Sequence, residues 1–263
     1  FIESAEVLEG RPAHDGGLFW DAGFVTSAAP PPIDLLHDYR QLTPKGVVIS
    51  RRLAIQGTTL NEAVGTTWGK VCGGLYKGGM WTAAQYGSTL YLATKNGKRP
   101  LRYDGSTIHF AGIVAPVVPP LGVGAAGGSF AAATYNVYYT FRNSVTGAES
   151  NPSPTQALAL TLNQKIDSVV LQTSPDTQVN QRRIYITAAS GGSGSTAYLH
   201  ATVDDNTTTS YTTDITAFTN LTSVLEYTDN EEPPVGNLVY VWKDRLYVAG
   251  NPEYPTRVYY SQP

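Results

Sequence analysis

The chain has 263 residues, with 26 Gly, 17 Pro and 17 Tyr, a charged fraction of only 15%, a formal net charge of -3 and a single Cys. A hydrophobic content of 41% excludes a disordered chain, one thiol excludes an intramolecular disulfide or a multi-thiolate zinc site, and the acidic balance gives no basis for reading nucleic acid by phosphate neutralisation. What remains is a turn-dense, Tyr- and Thr-rich composition, that of β-structure.

Residues 1–45 read as an irregular N-terminal arm. Ala28-Ala29-Pro30-Pro31-Pro32 removes three consecutive N–H donors and suits neither helix nor central strand. Asp34 to Tyr39 is expected to form a helical turn at most, and the segment is either a solvated loop or a partner-binding arm. The sequence opens at Phe1 without a basic n-region and apolar core, so it does not read as a signal peptide. Its one Met is Met80, so a processed or partial chain is expected. No run approaches 18 uninterrupted apolar residues, and no membrane span is expected.

Residues 46–118 read as short strands in a meander. Gly46 to Ile55 and Thr67 to Cys72 come first. Trp81 to Tyr86 then leads through Gly87-Ser88 into Thr89 to Thr94. Pro100 to Tyr103 follows, bracketed by Asn96-Gly97 and Asp104-Gly105, dipeptides that supply the positive φ of tight turns. Pro116-Val117-Val118-Pro119-Pro120 is a stiff connector, and the Gly- and Ala-rich run Leu121 to Gly128 reads as flexible.

Residues 119–230 form a different block, an antiparallel β-sandwich. Ala133 to Arg142 alternates over ten residues, with Tyr135, Val137, Tyr139 and Phe141 on one face. Asp167 to Gln172, Gln181 to Thr187 and Ala197 to Val203 continue the pattern, and Ser210-Tyr211-Thr212 adds a short edge. In the third of these, Leu199, Ala201 and Val203 are expected on one face and His200 on the polar one. After Glu231-Glu232-Pro233-Pro234, residues 231–263 resume the earlier style with Leu238 to Trp242, a Lys243-Asp244 turn, Arg245 to Ala249 and Arg257 to Tyr260. Leu246-Tyr247-Val248-Ala249 repeats Leu90-Tyr91-Leu92-Ala93 at an offset of 156, with Trp242 on Tyr86 and Tyr259 on Tyr103. Repeated meanders of this kind write a β-propeller, although two Tyr-rich hairpins also resemble each other without a common origin. The fold expected is therefore all-β: a partial propeller-like meander scaffold with a sandwich inserted between its segments.

Chemistry is sparse. The four histidines show no metal-ligand spacing. His14-Asp15 reads as a loop pair, and Cys72 as a buried thiol. Gly191 to Ser195 reads as a hairpin and not a nucleophile elbow. Asp204-Asp205-Asn206 would suit calcium but also simply makes a turn. The carboxylates Glu3, Glu6, Glu9, Glu231 and Glu232 are not paired by anything in the sequence. No catalytic residue, metal or cofactor is expected. Trp20, Trp81, Tyr86 and Trp242 are the candidate assembly or surface-contact aromatics, with core packing as their ordinary use.

The run Trp81 to Thr94, with Pro100-Leu101-Arg102-Tyr103-Asp104-Gly105, resembles the propeller segments of tail nozzle or hub proteins of short-tailed bacteriophages. Tyr135 to Phe141, Gly147 to Ser153 and Arg182-Arg183-Ile184-Tyr185 resemble the immunoglobulin- or fibronectin-like domains of phage virion proteins. Asp205 to Thr209 with Tyr211-Thr212 fits the same pattern. Arg245 to Ala249 and Arg257 to Ser261 resemble the start of the next propeller segment. The resemblance covers roughly residues 75–263. It implies a non-enzymatic virion component: a homo-oligomeric ring, often a hexamer, placed below an adaptor, carrying double-stranded DNA through its channel and contacting fibres or the host surface. Two other readings stay open, a carbohydrate-binding receptor adhesin and a glycan-cleaving propeller enzyme.

Overall fold

The computed structural model describes residues 32–261 apart from 44, 78, 96, 213–215, 219–222 and 227–229; Trp20, His14 and Glu3, Glu6 and Glu9 lie outside these. Every regular element among the described residues is a β-strand, and the strands pair antiparallel. The fold is therefore all-β, with five sheets among the described residues.

The first sheet is a four-stranded meander of β1 (Ile33–Leu42), β2 (Val48–Gln56), β3 (Thr59–Val64) and β4 (Thr67–Cys72). This corrects two expectations: the irregular arm does not extend to residue 45, and Asp34 to Tyr39 is strand, not helical turn. Period two decides it, because Leu35 and Tyr39 turn inward to the core while Leu36, Asp38, Arg40 and Leu42 are exposed. The second sheet is another meander, β5 (Trp81–Tyr86), β6 (Thr89–Thr94), β7 (Leu101–Tyr103) and β8 (Ile108–Phe110). Gly87, at φ 56°, opens the two-residue turn between β5 and β6. At the β7–β8 turn Asp104 accepts the N–H groups of Ser106 and Thr107, each at 2.9 Å. Burial alone would raise its carboxyl, but these bonds outweigh it and bring the pKa down to about 2. The two sheets share one core, in which Tyr39, Leu53, Ile55 and Leu60 meet Trp81, Leu90, Leu92 and Tyr103.

The middle block begins with β9 (Leu121–Phe130), where a flexible connector was expected. Its small residues serve close packing. A Cβ on Gly128 would fall 2.1 Å from the Gln164 carbonyl oxygen, and one on Gly124 would fall 2.6 Å from Leu160 Cδ2. β10 (Ala133–Arg142), β11 (Gln156–Leu160), β12 (Gln164–Val170), β13 (Gln181–Thr187), β14 (Ala197–Val203) and β15 (Ser210–Thr212) complete two sheets, ordered β11-β10-β13-β14 and β15-β12-β9. Both contribute to one core, with Tyr139, Phe141, Ile184 and Ile186 from the first and Phe130, Ile166 and Val169 from the second. Arg182, fully buried, closes one end of that core. Its guanidinium reaches the Asp205 carboxylate at 2.7 Å and the carbonyls of Asp205 and Gln172.

Two expectations for this block are corrected. The outer face of β10 is not solvated: Asn136, Tyr138 and Thr140 are buried, because Tyr138 packs with Tyr185, Ala197 and Leu225. β14 also does not keep one face. Tyr185 pairs Leu199 while Ile184 pairs Ala201, so His200 is the extra residue of a β-bulge. The bulge sends Ala201 and Val203 to the main core and Ala197 and Leu199 to the outer cluster. His200 is itself buried, 7% exposed, with its ring edge-on to Phe130 and its Nε2 unpaired.

The fifth sheet joins β16 (Leu238–Trp242), β17 (Arg245–Ala249) and β18 (Val258–Tyr260). The β16–β17 turn holds Lys243 and Asp244 at φ 45° and 59°, the left-handed geometry of a two-residue hairpin. One face of this sheet packs on the β5–β8 sheet, with Val239, Leu246 and Val248 against Ala84 and Ala93. The first strands of the three meanders run side by side, β5 lying against both β1 and β16. β5 side chains close the exposed backbone edges of its neighbours. Gln85 bonds the N–H and carbonyl of Arg40, and the Thr82 hydroxyl bonds the Asn237 carbonyl and the Val239 N–H, both at 3.1 Å.

Candidate interaction face

The repeat seen in the sequence becomes a statement about faces once the sheets are stacked. In β6, Leu90 and Leu92 point to the β1–β4 sheet, while Tyr91 and Ala93 point to the β16–β18 sheet. In β17 the equivalent Leu246 and Val248 point back to the β5–β8 sheet. Tyr247 and Ala249 therefore lie on the opposite, outward face. On it, Tyr240, Tyr247 and Tyr260 form one cross-strand row, and Leu238, Ala249 and Val258 another. Tyr240 and Tyr260 are both 65% exposed, and Leu238, Trp242 and Val258 are exposed as well. The Tyr247 ring lies 6.3 Å from Trp242 and 6.0 Å from Tyr260. Arg245 sits over the Tyr260 ring and Lys243 over Trp242. Exposed aromatic side chains gathered on one sheet face make it the candidate interaction face.

The sequence-expected aromatics divide accordingly. Trp242 is on this face. Tyr86, its counterpart in the repeat, is exposed at the tip of the β5–β6 hairpin. Trp81 is buried in the core between the first two sheets and stacked on Tyr76, so its surface-contact role is corrected. Alternation along β5 turns Trp81 with Ala83 to that core. Tyr240, Tyr247 and Tyr260 were missed, and the signal that finds them is the 156-residue offset applied to face parity as well as to residue identity.

Other reactive groups are occupied structurally. Glu149 accepts hydroxyls of Thr140 and Tyr185, each at 2.6 Å, and pairs with Arg183 at 3.1 Å and Arg142 at 3.5 Å. Burial, then the neighbouring Glu149, pushes the Tyr185 phenol far up. Asp205 accepts the Thr208 hydroxyl and the Thr208 and Thr207 amides at its turn, and these bonds, the hydroxyl's first, hold its carboxyl well below the usual range, with a smaller contribution from the paired Arg182. Burial raises the Cys72 thiol. Glu231 and Glu232 line a surface cleft with Arg99, whose guanidinium is engaged by the Ala111 and Gly112 carbonyls. Among the described residues, no group of three His, Cys, Asp or Glu side chains could hold a metal ion, and no helix is long and apolar enough to cross a membrane. Neither a protein-family model nor a curated protein sequence matches the chain.

Proposed function

We propose that this chain is a structural component of a bacteriophage tail, a nozzle- or hub-like part of the genome-delivery conduit and host-attachment apparatus. The observation that carries the reading is the stack itself. The two halves of the sequence repeat occupy adjacent sheets, and the two-sheet block lies between them in the chain. That arrangement supports a propeller-like scaffold with an immunoglobulin- or fibronectin-like insertion, the architecture which the resembling motifs imply. The role is assembly without substrate turnover: a homo-oligomeric ring, a hexamer by resemblance, joined to adaptor and fibre proteins, through which double-stranded DNA passes. The chain's low charge suits a conduit, since tight phosphate contacts would slow passage.

Immunogold electron microscopy of virions whose genome encodes this sequence tests the proposal. Antibodies against the chain are expected to label the tail. Unlabelled particles, or label on the head alone, would overturn it. The exposed Tyr240, Trp242 and Tyr260 favour a second reading, a carbohydrate-binding adhesin, since such rings stack on sugars. That reading requires saturable glycan binding which is lost in Trp242→Ala.

A further inference from the structure

We propose that the groove between β8 and the loop of residues 173–177 binds a neutral glycan, with one sugar ring on either side of Pro175 and Asp176. Two cavities meet there, of about 330 and 260 Å³, and Phe110, Pro175 and Asp176 line both. Together they have the size of a small-ligand site, placed where the β5–β8 sheet meets the middle block. Each cavity carries an aromatic ring that is already held in place. In the larger, Phe110 is 40% exposed, and the Arg99 guanidinium lies 5.0 Å from its ring centroid. In the smaller, Tyr76 stacks on the buried Trp81 ring. Fixed rings are platforms for the apolar C–H face of a pyranose.

The polar groups of the lining suit sugar hydroxyls, which donate and accept at once. Gln172 is the first. Its backbone is fixed at both ends, the N–H on the Tyr139 hydroxyl at 3.2 Å and the carbonyl on the Arg182 guanidinium, while its side-chain oxygen is buried without a partner. Such an acceptor gains from any donor brought to it, and a half-turn of the amide presents it to the cavity without breaking a bond to that oxygen. The Ser174 hydroxyl accepts the Asp176 N–H and keeps its own proton to donate. The Asp176 carboxylate takes the Gln178 N–H and side-chain amide, and retains lone pairs on both oxygens. The guanidinium of Arg99 is taken up by the Ala111 and Gly112 carbonyls, so it is not free for a sugar acid, and a neutral ring fits best. An extended peptide fits less well, since the Phe110 carbonyl on the β8 edge is already bonded to Gln178. The ligand class is that of the adhesin reading, at a different place on the molecule, and the site rests on this groove and not on the virion assignment.

Amide chemical-shift titration of the whole chain tests it, with the methyl pyranosides of glucose, galactose and mannose and the disaccharides cellobiose and lactose as probes. At least one sugar is expected to saturate, with shifts gathered at Phe110, Gln172 and Asp176, and a disaccharide should bind about tenfold more tightly than its monosaccharide. Gln172→Leu should weaken binding by about tenfold while leaving the unfolding midpoint unchanged or higher, because an unpaired buried acceptor lends the fold no stability. Phe110→Ala is the second variant, with the same loss of binding expected. Trp242→Ala should bind as the unmodified chain does. The proposal is overturned if none of the five sugars saturates, or if Gln172→Leu and Phe110→Ala both bind normally. Saturation by indole with no sugar bound would overturn the ligand class. Binding that is lost in Trp242→Ala and kept in Gln172→Leu would place the sugar on the aromatic face of β16–β18 and overturn this site in favour of the adhesin reading. Tail labelling of virions without sugar binding would sink this site alone, and binding here without tail labelling would sink only the virion assignment.

Discussion

At the scale of single residues, the buried polar groups decide how the protein responds to its surroundings. His200 is the clearest case. Burial of the ring beside Phe130 brings its pKa down to about 4, so the folded protein keeps the imidazole neutral. The unfolded chain takes up a proton near 6.5. Between those values the unfolded state binds more protons. The contribution to stability is therefore complete above about pH 6.5 and is lost as the pH falls towards 4, a change on the order of 3 kcal/mol. Replacing His200 with Leu is expected to remove this part of the acid sensitivity. Urea unfolding of both proteins at about pH 7 and about pH 4.5 checks it. An unchanged difference between the two pH values would show that the imidazole contributes nothing.

At the scale of elements, one buried amide helps tie the middle block to the β5–β8 sheet. Gln178, 3% exposed in the loop before β13, accepts from Arg102 at 2.9 Å and donates to the carbonyls of Phe110 and Gly112. It thereby ties the two-sheet block to β7 and to the end of β8. Gln178→Ala leaves the Arg102 guanidinium and the Phe110 carbonyl without this partner. The expected cost is about 1–3 kcal/mol, with faster proteolysis in the 112–120 connector. Unaltered cleavage and stability would show that the block is held elsewhere. Most strands were legible at this scale, because period two and turn residues are local: β5, β6, β10, β13, β16 and β17 are where the alternation put them. β9 was not, since its glycines read as flexibility until Gln164 and Leu160 are seen against them. The bulge at His200 was also hidden, because a one-residue slip leaves no mark on composition. Of the candidate site, Trp242 was legible as an aromatic at a repeat position. The rest of its face needed the stack to show which side of β17 is covered.

At the scale of the whole molecule, three meanders stacked by their faces leave their first strands lined up with one another, and β5 serves both neighbours. The amides of Arg40, Leu42 and Val239 bond to Gln85, Ser88 and Thr82 side chains, at 2.9, 3.2 and 3.1 Å. Hydrogen exchange should find the Val239 amide slow although no strand pairs with that edge. Thr82→Val should make it exchange about tenfold or more faster while leaving the β6 amides unchanged. Equal rates in both proteins would mean that the hydroxyl gives no protection. The same bonds bear on aggregation. A bare strand edge is a template on which foreign strands add, and at Arg40, Leu42 and Val239 that template has been used up by side chains of the protein itself. At these three positions the sheets are closed to lengthening by an added strand, while the outward face of β16–β18 stays accessible.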